Sequence, residues 1–208
     1  MLKFLRNNKR FAKTFLVVLI ASLCLGVIVP VVLWLLPEDD HEAASLEAYI
    51  NAEILAMEEE LLNYEEMVAD NPEDGEAWVH KANLEYDLGS LLYDINRVDE
   101  GVSYFKEATV SYQEAIKHKE EDVQVITDLA TAALYSNQNE LAEESFKKAI
   151  EKDPGYIHAR VNYGIFLYNV KNDKQGALKE WEAALATNPE NEEVVKGIES
   201  LIALVKEE

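Results

Sequence analysis

Hydrophobic positions fall into three regimes along the chain. From Thr14 to Pro37 no charged residue interrupts a run rich in Leu, Val and Ile. About 20 apolar residues in a helix cross the hydrocarbon core of a bilayer, and a helix satisfies its own backbone groups there. The run therefore predicts a transmembrane helix over 14–37, preceded by a basic stretch over 1–13. Pro30 kinks or locally breaks that helix, and Trp34 suits the membrane interface near one end. A cleaved signal peptide has a shorter apolar core of about 7–15 residues, and a lipoprotein signal ending at Cys24 conflicts with Leu23 before it and the apolar residues after it. In the second regime, Leu46, Ile50, Ile54, Met57, Leu61, Tyr64 and Val68 recur at spacings of three and four. That is a helical stripe close to a heptad repeat, on an otherwise glutamate-rich helix over 38–70. Asn71-Pro72 closes it, because the residue before proline leaves the helical region. The stripe is expected to pack on the next helix of the same chain. A short coiled coil with a second copy through residues 46–68 is the alternative. The third regime is helical to the end, and Val194, Val195, Ile198, Leu201, Ile202 and Val205 predict a final amphipathic helix over 192–208.

Within the third regime the pattern repeats. Ala142, Phe146, Ala149 and Asp153-Pro154 recur 35 residues later as Ala177, Trp181, Ala184 and Asn188-Pro189. Upstream, Leu129, Ala130 and Ala133 recur after 34 residues as Tyr163, Gly164 and Leu167. The extra residue fits a longer turn around Asn172-Asp173-Lys174-Gln175-Gly176. Two antiparallel helices approach closely only where small side chains face each other, so Ala130, Gly164, Ala142 and Ala177 mark the contact, and Phe146 and Trp181 fill the space beside it. Fixed-period self-similarity of this kind is the signature of a repeat array.

These positions resemble the tetratricopeptide repeat (TPR): a large-small pair and a core position on a first helix, then alanine, an aromatic four later, alanine three later and proline five later on a second. Residues 123–156 supply Ile126, Leu129-Ala130, Ala133, Ala142, Phe146, Ala149 and Pro154. Residues 157–191 supply Tyr163-Gly164, Leu167, Ala177, Trp181, Ala184 and Pro189, with Arg160 where the family often has tryptophan. Residues 71–122 resemble an extended, degenerate copy. Asn71 to Trp78 looks like a repeat start, with Trp78 in the tryptophan position and Ala82 four later. Ala108, Tyr112 and Ala115 match the alanine-aromatic-alanine spacing, and Glu120 replaces the proline. That copy spans some 14 residues more than its neighbours, which predicts long helices near 75–94 and 98–118. The resemblance implies an all-α protein: a right-handed solenoid of about three helix pairs with residues 192–208 as its cap. It also implies a concave groove lined by the first helix of each pair, with Val79, Asn83, Tyr86, Gln124, Thr127, Thr131, Tyr135, His158, Val161, Asn162, Ile165 and Asn169 facing a protein or peptide client. Asn83 and Asn162 echo the asparagines of the TPR domains that clamp a C-terminal carboxylate, but no groove lysine accompanies them.

Charge sharpens the picture. The net charge is −21. Lys3, Arg6, Lys9, Arg10 and Lys13 are the only charged residues of 1–37, so 14 basic and 40 acidic residues leave −26 over 38–208. Basic residues before the span and acidic ones after it place the N-terminus in the cytoplasm and the repeats on the extracytoplasmic side, the outer face of a bacterial cell membrane or a eukaryotic lumen; so short and simple a protein favours the bacterial cell membrane. So acidic a domain repels phosphate backbones, which argues against nucleic acid as a partner. Chemistry is sparse. His41, His80, His118 and His158 have no partners at metal-ligand spacing, Cys24 is the lone cysteine, and there is no phosphate-binding glycine loop or nucleophile elbow. The expectation is a non-enzymatic, membrane-anchored adaptor without metal or cofactor, assisting an assembly or secretion machine. The order of anchor, glutamate-rich helix and Asn71–Trp78 octet also resembles the TPR subunits of bacterial cytochrome c maturation, which implies apocytochrome capture. It resembles translocon-associated TPR chaperones as well. A self-associating membrane scaffold is the structural alternative.

Overall fold

The computed structural model describes residues 40–118, 122–187 and 189–207. The expected span over 14–37, the basic residues 1–13 and Glu120 lie outside them. Among the described residues no helix is long and apolar enough to cross a membrane.

Eight helices and no strand make up the described residues: α1 (Asp40–Asp70), α2 (Gly75–Asp94), α3 (Val98–His118), α4 (Val123–Tyr135), α5 (Asn139–Lys152), α6 (Ile157–Asn169), α7 (Lys174–Ala186) and α8 (Glu192–Glu207). Helices α2 and α4 start on side-chain caps, whereas α6 has none. Asp74 accepts from the Ala77 amide, and Asp122 accepts from the amides of Gln124 and Val125. Such caps satisfy amides that the first turn leaves without partners. Each pair turns over on an asparagine held in the left-handed region, Asn96 (φ 67°), Asn137 (φ 61°) and Asn172 (φ 52°). Asparagine tolerates that conformation better than most residues.

The helix pairs α2–α3, α4–α5 and α6–α7 form one array. In the two regular pairs the predicted contacts are present. Ala130, Ala133, Ala142, Phe146, Gly164, Ala177, Trp181 and Ala184 are all buried. A β-carbon at Gly164 would sit 2.6 Å from Trp181 Cδ1, so the indole lies directly on the glycine backbone. The Trp181 indole N–H donates to the Val161 carbonyl at 3.1 Å, which leaves its polar atom satisfied inside the core.

The first pair has the predicted helices but closes in a different place. Helix α2 has 20 residues against 13 in α4 and α6, and α3 has 21 against 14 and 13 in α5 and α7. Each helix is thus about two turns longer. The repeat start stands where the sequence puts it: the Trp78 indole donates to the Pro72 carbonyl, as Arg160 Nε donates to the Pro154 carbonyl. The helix contact equivalent to Ala130/Ala142 is, however, Gly89 on Gly101, with Phe105 beside it. A β-carbon on Gly101 would lie 2.6 Å from the Gly89 carbonyl oxygen. Gly101, Ala142 and Ala177 are 41 and 35 residues apart, and so are Asn96, Asn137 and Asn172. The repeat's motif is therefore Gly101, Phe105 and Ala108, and Ala108, Tyr112 and Ala115 together are the same spacing displaced by seven residues. They lie two turns further on, where with Ala82 they pack the extension and meet Val125, Leu129 and Ala132 of α4. Seven residues are nearly two whole helical turns, so the same face of each helix still points inward and the spacing alone cannot separate the registers.

Helix α1 packs on α2 as expected. Ile54 and Leu61 are buried with Leu88 and Leu92, flanked by Ile50 and Met57. The Tyr104 hydroxyl donates to Glu58, and Tyr64 stacks on His80 with ring centres 5.3 Å apart. At the other end α8 sets Ile198 and Val205 into the core of the last pair and covers an apolar face that an unfinished array would expose.

Candidate functional site

The first helices α2, α4 and α6 lie side by side, so residues at equivalent positions form rows across them. The Asn162 amide donates to Thr131 Oγ1 at 3.1 Å, bridging α6 to α4. The rings of Tyr86 and Tyr135 meet edge to face at 6.3 Å, bridging α2 to α4. Phe105 stacks on Tyr135 at 4.9 Å, and Tyr93 approaches the same ring at 6.2 Å. A cavity of about 260 Å³ opens beside this cluster, lined among others by Tyr93, Val98, Val102, Tyr135, Ile165 and Asn169. Tyr93 and Tyr135 are each 43% exposed and Val98 38%, so large apolar surface is left in water here.

The twelve residues expected on this face divide. Tyr86, Thr131, Tyr135, Asn162, Ile165 and Asn169 are brought together as above. Gln124 and His158 are exposed nearer the helix starts, with His158 beside Tyr156 at 5.6 Å. Asn83 is on the face, and its side-chain oxygen is engaged by the Tyr112 hydroxyl at 2.7 Å. Val161 and Val79 are partly buried against the core. Val79 lies in the extension of α2, seven residues short of Tyr86, and belongs to the packing there. Thr127 is corrected outright. It is 2% exposed and its hydroxyl donates back to the Val123 carbonyl at 2.8 Å, so it presents nothing to a client.

Three carboxylates on this face were overlooked in the sequence because each reads as an ordinary surface acid. Asp87 and Asp128 hold the same position in the first and second pairs, 41 residues apart. Asp94 lies two turns beyond Asp87. Burial, with added repulsion from Asp122 and Asp87, pushes the Asp128 carboxyl up to about 6, against a hydrogen bond from Gln124 that favours the charged form. Partial desolvation by the neighbouring helices raises half-buried Asp94 and, although its side chain reaches solvent, Asp87 as well. Burial also raises the Tyr86 hydroxyl, followed by Tyr135 and then Asp128, Asp87 and Asp94. All three acids are therefore near enough to act on the central tyrosine. The signal that could have found them is the 41-residue offset set by Gly101/Ala142 and Asn96/Asn137.

Residues 127–192 match the tetratricopeptide repeat family. Over those residues the chain carries tetratricopeptide repeats. The match runs from α4 into α8, so it holds both regular pairs of the TPR array and omits the elongated first pair. Among solved structures, the Yersinia enterocolitica type III secretion chaperone SycD, in complex with a peptide of the translocator YopD, is similar at 16% identity and a TM-score of 0.45, covering 60% of this chain and 91% of that one. The TPR2B domain of yeast Sti1, in its pHsp70 complex, has 23% identity and a TM-score of 0.47, with 62% and 97% covered. The MamA protein has 14% identity and a TM-score of 0.48, with 80% and 82% covered. No curated protein matches the sequence significantly.

Proposed function

We propose that this protein is a non-enzymatic TPR adaptor, anchored in a bacterial membrane through residues 14–37, that holds a protein or peptide client on the extracytoplasmic side for a membrane-associated assembly or secretion machine. The observation that carries the client site is the exposed Tyr93–Val98–Tyr135 surface around the cavity on the first-helix face. Apolar surface of that kind, set between helices with a few polar groups converging on it, suits an adaptable peptide site. The anchor rests on the uncharged run over 14–37 and the sidedness on the charge asymmetry about it. The Asn71–Trp78 octet supports neither cytochrome maturation nor the translocon in particular, because its residues build a helix start through the Asp74 cap and the Trp78–Pro72 contact.

Capture from membranes with in-situ cross-linking tests the reading. Tyr86→Ala/Tyr135→Ala/Ile165→Ala is expected to lose a defined set of partners that the wild type retains, with helix content unchanged by circular dichroism. Retention of the same set by the variant moves the client site elsewhere. Accessibility of engineered cysteines at exposed Glu144 and Glu182 to an impermeant label in intact cells tests the sidedness.

A second reading, self-association through residues 46–68, draws on one feature. The predicted stripe is consumed by α2, but Leu55 and Leu62, one heptad apart, are 65% and 60% exposed on the outer face of α1. Loss of cross-linked dimer in Leu55→Glu/Leu62→Glu would support it, and a monomeric wild type would end it.

A further inference from the structure

The first-helix face has a chemical bias as well as a shape. Its cavity and exposed rings offer a site for an apolar side chain. Next to them the face is acidic, through Asp87, Asp94 and Asp128. Among the described residues, the first helices α2, α4 and α6 carry only two Lys or Arg side chains, and both are taken. Lys81 pairs with Glu85, and Arg160 pairs with Glu180 of α7 at 2.6 Å. Helix α4, the middle one, has no basic residue at all. Asp128 is held partly out of water with Asp87 and Asp122 nearby and an amide as its partner. Carboxylates set close together, such as Asp87 and Asp128, are stabilised by a cation brought up to them. An acidic segment or a nucleic acid meets repulsion on the same face.

We propose that this face selects a cationic amphipathic peptide segment, one that sets a lysine or arginine against Asp87 and Asp128 and an apolar side chain into the cavity beside Tyr135 and Ile165. The inference rests on the reading of this face as the client site and specifies the chemistry of the client. Asp94, at the end of the face near the cavity, provides a further carboxylate for a segment with two basic residues. The bulk charge of the chain also attracts cations without selectivity, so position has to be separated from charge.

The test uses the full chain in detergent and three short fluorescein-labelled peptides: a Lys/Leu amphipathic sequence, a Glu/Leu sequence with the same apolar pattern, and a Lys/Ser sequence with the same charge. Binding is read by anisotropy at moderate salt. The Lys/Leu peptide is expected to bind at least about tenfold tighter than either of the others, since like charge is penalised and apolar contact is missing, respectively. Asp87→Asn/Asp128→Asn is expected to weaken it about tenfold, while Glu144→Gln/Glu151→Gln, which removes the same charge from α5, changes it by less than about twofold. Equal losses in the two double variants would reduce the effect to bulk charge and overturn the proposal. Equal binding of the Glu/Leu peptide, still abolished by Tyr135→Ala, would overturn the charge selection and leave the client face standing. Binding of every peptide that ignores Tyr135→Ala would overturn both. Asparagine matches aspartate in shape, Asp87 is exposed and the Asp128 charge is disfavoured where it stands, so loss of folding does not confound the main variant, and circular dichroism checks it.

Discussion

Asp128→Asn should make the protein more stable while weakening its client site. The carboxyl's ordinary value is 3.8 and the fold raises it to about 6. That difference corresponds to roughly 3 kcal/mol between the two protonation states. Asp128 keeps some contact with solvent, which screens part of this, so about 1–2 kcal/mol is the working figure. The sign follows from proton binding. A folded state with the raised value binds the proton more tightly than the unfolded chain, so stability falls as pH rises between about 4 and 6, and the full cost is present above 6. Asparagine removes the charge and can still accept from Gln124. The variant should therefore melt about 3–6 °C higher than wild type near pH 7.5, at roughly 2–4 °C per kcal/mol for a domain of this size. Near pH 4 the carboxyl is mostly protonated in the fold, and the gain should largely vanish. Thermal melts followed at 222 nm across that range measure it. A variant that melts at or below wild type near pH 7.5, or a gain that does not depend on pH, would refute both the charge placement and the argument from it.

Other consequences are equally direct. Gly164→Ala puts a methyl group into the Trp181 indole and should destabilise the array by about 3 kcal/mol in urea titrations, whereas Gly197→Ala on α8, with nothing within 4 Å, should be neutral or stabilising. Glu85 is 1% exposed, pairs with Lys81, and leaves its other carboxylate oxygen without a hydrogen bond. Lys81→Met should cost about 3 kcal/mol near neutral pH by stranding that charge. The loss should shrink as pH falls, because burial already raises the Glu85 carboxyl and protonation relieves it. Lys81→Met/Glu85→Leu should recover most of the stability at neutral pH. Asn137→Ala, at φ 61°, should cost about 1 kcal/mol and Asn137→Gly much less, measured by the same titrations.

Much of the architecture is legible along the chain because it depends on local periodicity. Apolar spacing of three and four residues sets which stretches are helical. The recurrence of Ala142, Phe146 and Ala149 as Ala177, Trp181 and Ala184 sets how the regular pairs close, since only small residues admit close helices and only large ones fill the remaining space. The length of the elongated helices could be read for the same reason. Where they close could not: a shift of seven residues returns the same helical face, so Ala108/Tyr112/Ala115 was expected where backbone approach at Gly89 and Gly101 sets Gly101/Phe105/Ala108. The functional face depended on the same decision. Thr127 was expected on it but lies beneath it, bonded to its own helix, while Asp87, Asp94 and Asp128 looked like solvated acids. Burial and the proximity of charges on different helices are properties of the packed array. Tertiary structure alone gathers those carboxylates around Tyr86 and leaves Tyr93 and Tyr135 open to water.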